Sequence, residues 1–127
     1  MPTILVVDDH DDIRELLRLR LEKRGFTVTC ARNGLEAVMA AANAPPSLIL
    51  MDVNMPELDG LEATMQIHQA DEGHRIPVIA LTAYAASGDE AGAIAAGCDA
   101  FHTKPIDFEK LFVQINQLIT TTSAPSS

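Results

Sequence analysis

The sequence predicts an α/β fold on an open parallel sheet, and three observations lead there. Short apolar runs alternate with stretches of helical periodicity. Four of the strand-like runs stop abruptly at polar or charged residues. The chain is 127 residues long, the size of one domain with a single core.

The elements follow in order. Ile4-Leu5-Val6-Val7 is a first strand and stops at Asp8-Asp9. A first helix runs from about Asp11 to Arg24, with Ile13, Leu16, Leu17 and Leu21 at helical spacing and Gly25 as its C′ stop. Arg20 falls on the apolar side of that helix and Leu19 on the polar side, an awkward pair. Phe26 to Ala31 is a second strand. Asn33 caps a second helix, which ends near Ala44 before Pro45-Pro46. Leu48-Ile49-Leu50-Met51 is a third strand, closed by Asp52.

A third helix covers about Leu61 to Ala70, after the Asp59-Gly60 turn. Ile76-Pro77 leads into a fourth strand, Val78-Ile79-Ala80-Leu81, which stops at Thr82. The fourth helix, about Gly88 to Ala96, is short, Ala-rich and weakened by Gly92, at a cost of about 1 kcal/mol relative to Ala. Ala100-Phe101-His102-Thr103 is a fifth strand and stops at Lys104-Pro105. A fifth helix spans about Asp107 to Ile119, with Phe108, Leu111, Phe112, Ile115 and Ile119 on one face. Residues 1–120 therefore form the folded domain. Residues 121–127 are expected to be a disordered polar tail or the start of a linker.

In an open parallel sheet, groups at the carboxyl ends of the strands converge on one crevice, where ligands bind. Here that gathers Asp8, Asp9, Asp52, Thr82 and Lys104, a set suited to a divalent cation and a phosphoryl group. Each residue alone has a plainer reading. Asp8 and Asp9 can cap the first helix, Thr82 can serve a turn, Lys104 can be a solvated lysine. All of them at the right strand ends make a joint signal.

With these residues the chain resembles the receiver domain of two-component response regulators, from Thr3 to Ile119. The resemblance rests on the acidic pair, on Asp52 with Met55-Pro56 and Asp59-Gly60 downstream, on Thr82, and on Lys104-Pro105. It implies a doubly wound five-stranded parallel sheet, flavodoxin-like, of order 2-1-3-4-5 with five helices. It implies that Asp52 accepts a phosphoryl group from a phosphohistidine, with Mg²⁺ or Mn²⁺ held by Asp8, Asp9, Asp52 and the backbone carbonyl of Asn54. Asp9 is then a direct ligand, and Asp8 acts mainly through a water. Lys104 pairs with one phosphoryl oxygen and Thr82 bonds another. Phe101 takes the place of the aromatic that turns with Thr82, although a core aromatic is the plain alternative. Asn54 and Tyr84 flank the path of hydrolytic water and tune the phosphoryl lifetime.

The implied partners are a histidine kinase or a histidine phosphotransfer protein, and a downstream effector protein. Arg14, Arg18 and Leu19 on the first helix form a docking face by the same analogy. A basic dimer face on the fourth helix is not expected, because Asp89 and Glu90 stand there. Three competing readings remain. A haloacid-dehalogenase-like aspartyl phosphatase would need a second Asp where Asn54 stands. A nucleotide or flavin module would need a Gly-rich loop after the first strand. The chain could also be the receiver piece of a hybrid histidine kinase.

Composition bounds the rest. The net charge of −9, from 9 basic and 18 acidic residues, opposes nucleic-acid binding by this domain. No apolar stretch is long enough to span a membrane. With no room for a signal peptide before the first strand, a cytoplasmic location is expected. Cys30 and Cys98 read as two buried reduced thiols. His10, His68, His74 and His102 show no metal-ligand spacing and read as surface or edge residues. Phosphorylation would modify the protein itself, so no separate enzymatic substrate is expected.

Overall fold

The apolar runs pair as one sheet because both of its faces are covered by helices, which lets the strands be apolar throughout. The computed structural model describes residues 2–52, 60–70, 76–82, 97–103 and 106–123. Strands β1 (Thr3–Val7), β2 (Thr27–Ala31), β3 (Leu48–Asp52), β4 (Val78–Thr82) and β5 (Ala100–Thr103) lie in the order β2-β1-β3-β4-β5. Every neighbouring pair is parallel. The described helices are α1 (Asp11–Lys23), α2 (Gly34–Asn43), α3 (Gly60–Ala70) and the C-terminal α4 (Phe108–Ser123). The helix expected over residues 88–96 lies outside the described residues.

Strand periodicity divides the core in two. Leu5, Val7, Ile49, Met51, Val78 and Ala80 face one side and pack with Ala37 and Ala41 of α2 and Ala63 and Ile67 of α3. Ile4, Val6, Leu48, Leu50, Ile79 and Leu81 face the other, against Leu17 and Leu21 of α1 and Leu111, Phe112 and Ile115 of α4. A one-residue slip in any strand would exchange the two sets, so the register is strongly specified.

Several local signals are realised as read. Asn33 Oδ1 accepts the Glu36 backbone N–H at 2.8 Å and caps α2. Gly25 follows α1 at φ +93°, the left-handed conformation that suits glycine, and its N–H reaches the Glu22 carbonyl at 3.0 Å. Val78 N–H donates to Asp99 Oδ2 at 2.9 Å, and Asp99 N–H donates to the Val78 carbonyl at 2.8 Å, fixing β5 against β4.

The buried stripe of α1 differs from the expected one. Leu16 is 48% exposed, outside the core. Leu17 and Leu21 are the buried residues of α1; exposed Arg20 sets its guanidinium 4.5 Å from the Phe108 ring centroid, and exposed Arg24 lies 4.0 Å from that of Phe112. At such exposed positions each contact contributes about 0.5–1 kcal/mol. The arginines thus join α1 to α4 beyond the reach of the leucines.

The C-terminal helix runs to Ser123, past the expected end at Ile119 and into the segment expected as a tail. Once a helix exists, each added residue gains a hydrogen bond, and threonine's propensity penalty is only about 0.5 kcal/mol. Cys30 is exposed on β2, contrary to expectation, because β2 is an edge strand. Cys98 is buried, and burial pushes its thiol up to about 11.

Two histidines have structural partners. His102 is buried on β5; its Nδ1 meets Gln114 Oε1 at 2.9 Å and its Nε2 accepts the Asp107 N–H at 3.1 Å. Gln114 Nε2 in turn donates to the Phe101 carbonyl at 3.1 Å. His68 Nε2 lies 2.9 Å from the Ile76 carbonyl, and its ring rests on the backbone at Gly97.

Gly97 has φ +105°, and a Cβ there would fall 2.7 Å from His68 Nδ1. Gly97→Ala is expected to lower the unfolding free energy by about 1–3 kcal/mol, from backbone strain and the displaced imidazole. Urea denaturation checks this; an unchanged midpoint would show that the turn into β5 relaxes freely.

Candidate functional site

The sheet order reverses direction between β1 and β3, and their carboxyl ends open a crevice. Register fixes what lines it. Val7 pairs with Met51, so Asp8 and Asp52 follow side by side. Asp52 ends β3 in the pleat phase of Leu48 and Leu50, and Asp8 continues that of Ile4 and Val6. Both carboxylates therefore emerge at one edge, on the α1 side. Thr82 ends β4 and pairs with Thr103, the residue before Lys104. Asn54, Tyr84 and Lys104 lie outside the described residues.

Asp8 is fully buried and Asp52 is 1% exposed. Asp9 is partly exposed. One ligand atom from each of Asp8, Asp9, His10 and Asp52 lies within 4.8 Å of the others. The turn that carries the first three is held from both sides. Asp8 N–H donates to the Ala31 carbonyl at 3.2 Å, and Arg14 Nη1 donates to the Asp8 carbonyl at 2.9 Å. Asp8 Oδ1 accepts the His10 backbone N–H at 2.8 Å. The N-cap of α1 is His10, whose own side chain makes no cap hydrogen bond, and Asp8 both takes the His10 N–H and joins the cluster.

His10 is the residue that sequence reasoning passed over. Its Nδ1 lies 3.2 Å from Asp8 Oδ1 and 3.1 Å from Asp9 Oδ1. The contact with Asp8 is a hydrogen bond; that with Asp9 is close but poorly aligned. Asp9 Oδ1 is buried and makes no hydrogen bond among the described residues. Such an oxygen is costly unless a cation completes it. The signal is Asp8-Asp9-His10 directly after an apolar strand, which spacing between histidines does not register.

Arg14 also differs from expectation. It holds the Asp8 carbonyl and pairs with Asp11, and its side chain is only 15% exposed. It builds the site more than it offers a docking charge. Arg18 is paired with Glu15 and Glu22, and Leu16 and Leu19 are the exposed apolar residues of α1. Phe101 is half-buried and packs against the core shared with α2 and α3.

Three carboxylates at one point form a hard oxygen donor set, which fits a small divalent cation. Mg²⁺ uses one or two carboxylates and fills its shell with water and phosphate oxygens.

Comparison with known proteins agrees with this arrangement. The response regulator receiver domain family matches residues 4–116. A polar-differentiation response regulator, DivK, of Brucella anthropi is 38% identical over 117 residues, covering 92% of this chain and 95% of that protein. An uncharacterised 14.6 kDa protein of Leptolyngbya boryana is 42% identical over 114 residues, 90% of this chain and 87% of that protein. Among solved structures, the receiver domain of a Pseudomonas aeruginosa sensor histidine kinase is 34% identical, with a TM-score of 0.86 over 93% of this chain and 97% of that one. That structure has a magnesium ion coordinated in its active-site cleft. A CheY-like receiver from Methanospirillum hungatei is 27% identical, with a TM-score of 0.90 over 98% of both chains.

Asp52→Asn removes one charge from the cluster while keeping its shape. Mutual repulsion of the carboxylates then falls, so in EDTA the variant is expected to be more stable by about 1 kcal/mol or more. Urea denaturation of both proteins without metal measures it; a less stable variant would show that Asp52 is held by favourable contacts that outweigh the repulsion.

Proposed function

The chain belongs to the response regulator receiver family, and from that premise we propose that Asp52 is its phosphoacceptor in a two-component phosphorelay. The observation that carries this is the convergence of Asp8, Asp9 and Asp52 to within 4.8 Å at the carboxyl edge of the sheet. Asp52 is the acidic member that ends the central strand β3, beside both the acidic pair and the Thr82 edge.

The reaction is a transfer between nitrogen and oxygen. An Asp52 carboxylate oxygen attacks phosphorus, the phosphorus–nitrogen bond of a partner's phosphohistidine breaks, and the electron pair leaves with the imidazole, which takes up a proton. Asp52 then carries an acyl phosphate. Phosphoryl transfer needs little covalent help from a protein; position and charge stabilisation do the rest. Mg²⁺, or Mn²⁺, supplies positive charge to the transferring oxygens. Asp9 and Asp52 would hold it directly, Asp8 would act through a water, and the Asn54 carbonyl would add a ligand. The buried Asp9 Oδ1 supports that assignment.

Lys104 neutralises one phosphoryl oxygen and Thr82 donates to another. Pulling Thr82 inward alters the surface shared with Phe101, and an effector protein reads the change. Phe101 lacks a hydroxyl, so packing alone reports the switch. Asn54 and Tyr84 set how fast water reaches the acyl phosphate. The partners are a histidine kinase or histidine phosphotransfer protein upstream and an effector downstream. A cytoplasmic place follows from this reading, because that is where a partner kinase presents its phosphohistidine. No helix among the described residues is long and apolar enough to cross a membrane. The protein turns over its own phosphoryl group and acts as a signalling domain in place of an enzyme with a separate substrate.

Acetyl phosphate with Mg²⁺ is expected to add one phosphoryl group per chain, seen by intact-mass spectrometry. EDTA or Asp52→Asn should abolish it. Lys104→Ala should retain metal binding while losing the structural response to phosphorylation. Undiminished labelling of Asp52→Asn would place the acceptor elsewhere.

A further inference from the structure

His10 is unexplained by the phosphoryl chemistry. Its side chain is 62% exposed, yet the ring turns inward over the acidic pair. Its Nδ1 stands 3.2 Å from Asp8 Oδ1 and 3.1 Å from Asp9 Oδ1. Two donors bound to one small cation at about 2.1 Å and at right angles lie about 3.0 Å apart. The 3.1 Å separation from Asp9, the direct carboxylate ligand of the pair, matches that edge, while Asp8 Oδ1 accepts the His10 backbone N–H. The fourth member, an Asp52 carboxylate oxygen, completes a group that spans no more than 4.8 Å. The backbone keeps the ring there, because the His10 N–H is bonded to Asp8 Oδ1 and the Arg14 N–H to the His10 carbonyl at 3.0 Å.

We propose that His10 Nδ1 is a ligand of the cation site and gives it a preference for late first-row transition ions over Mg²⁺. The inference rests on the reading that this crevice holds a divalent cation. The chemistry is that of the donor atom. Carboxylate oxygens are hard and suit Mg²⁺ and Mn²⁺, whereas imidazole is a borderline donor that favours Co²⁺, Ni²⁺ and Zn²⁺. A mixed set of the Asp9 and Asp52 carboxylates and one imidazole binds the later ions by a margin that the carboxylates alone do not reach. When the cation is bound, the neutral ring presents its Nδ1 lone pair, and its Nε2–H points to the exposed side. In the metal-free protein the same nitrogen serves as the Asp8 partner.

The test is calorimetric titration of the full chain with Co²⁺ alone and with Mg²⁺ alone, at one fixed pH, for wild type, His10→Ala and Asp52→Asn. Loss of a direct ligand is expected to weaken Co²⁺ by about tenfold or more, while Mg²⁺ affinity changes much less. Co²⁺ bound elsewhere is recognised because Asp52→Asn leaves it untouched. In the Co²⁺-loaded wild type, proton NMR should show a hyperfine-shifted imidazole N–H that is missing from His10→Ala. The exposed position of the His10 ring makes a folded variant the expectation, and circular dichroism verifies it. Equal weakening of both ions would overturn the proposal, with His10 acting only by holding Asp8. Unchanged Co²⁺ affinity would overturn it, as would tighter Mg²⁺ binding, which would mark the ring as a blocking group. Binding of neither ion by wild type would instead remove the divalent-cation reading itself, and the proposal with it.

Discussion

Two carboxylates buried side by side dominate this structure. Asp8 and Asp52 are almost wholly removed from water at the ends of adjacent strands, with Asp9 and His10 on the turn above. Burying like charges together is unfavourable unless something positive completes them. The fold places them there regardless. The β1–β3 register and the shared pleat phase leave Asp8 and Asp52 nowhere else to point while Ile4, Val6, Leu48 and Leu50 stay in the core. Core packing is thus what forces the cluster together. The function follows from relieving it.

The surrounding structure holds that cluster rigid. Arg14 grips the Asp8 carbonyl, the Ala31 carbonyl receives the Asp8 N–H, and α1 begins at His10. On the far side of the sheet edge, His102, Gln114 and Asp107 tie β5 to the start of α4. Gln114 also holds the Phe101 carbonyl, so the end of β5 is bonded to α4 at two points.

Much of this was legible in the sequence. The strands were plain because a sheet covered on both faces has continuous apolar runs, and the runs of β1 and β3 stop at the aspartates that cluster. Gly25 and Asn33 announced the end of α1 and the start of α2 through backbone chemistry alone. What was hidden depended on partners distant in sequence. Arg20 looked misplaced until the Phe108 ring came beneath it, and Leu16 looked like core although the stripe of α1 turns away from it. Cys30 reads as buried from sequence because a strand pattern does not reveal that its strand is at the sheet edge. His10 was missed because spacing rules compare histidines with histidines, while its partners were the two aspartates beside it and one more than forty residues away.

The central claim is that the carboxyl edge of the sheet is a divalent-cation site built by Asp8, Asp9 and Asp52. Anomalous diffraction from crystals grown with Mn²⁺ tests it most directly. One strong anomalous peak is expected within coordination distance of the Asp9 and Asp52 carboxylates. A fully occupied Mn²⁺ at another position, with the crevice empty at the same concentration, would contradict it.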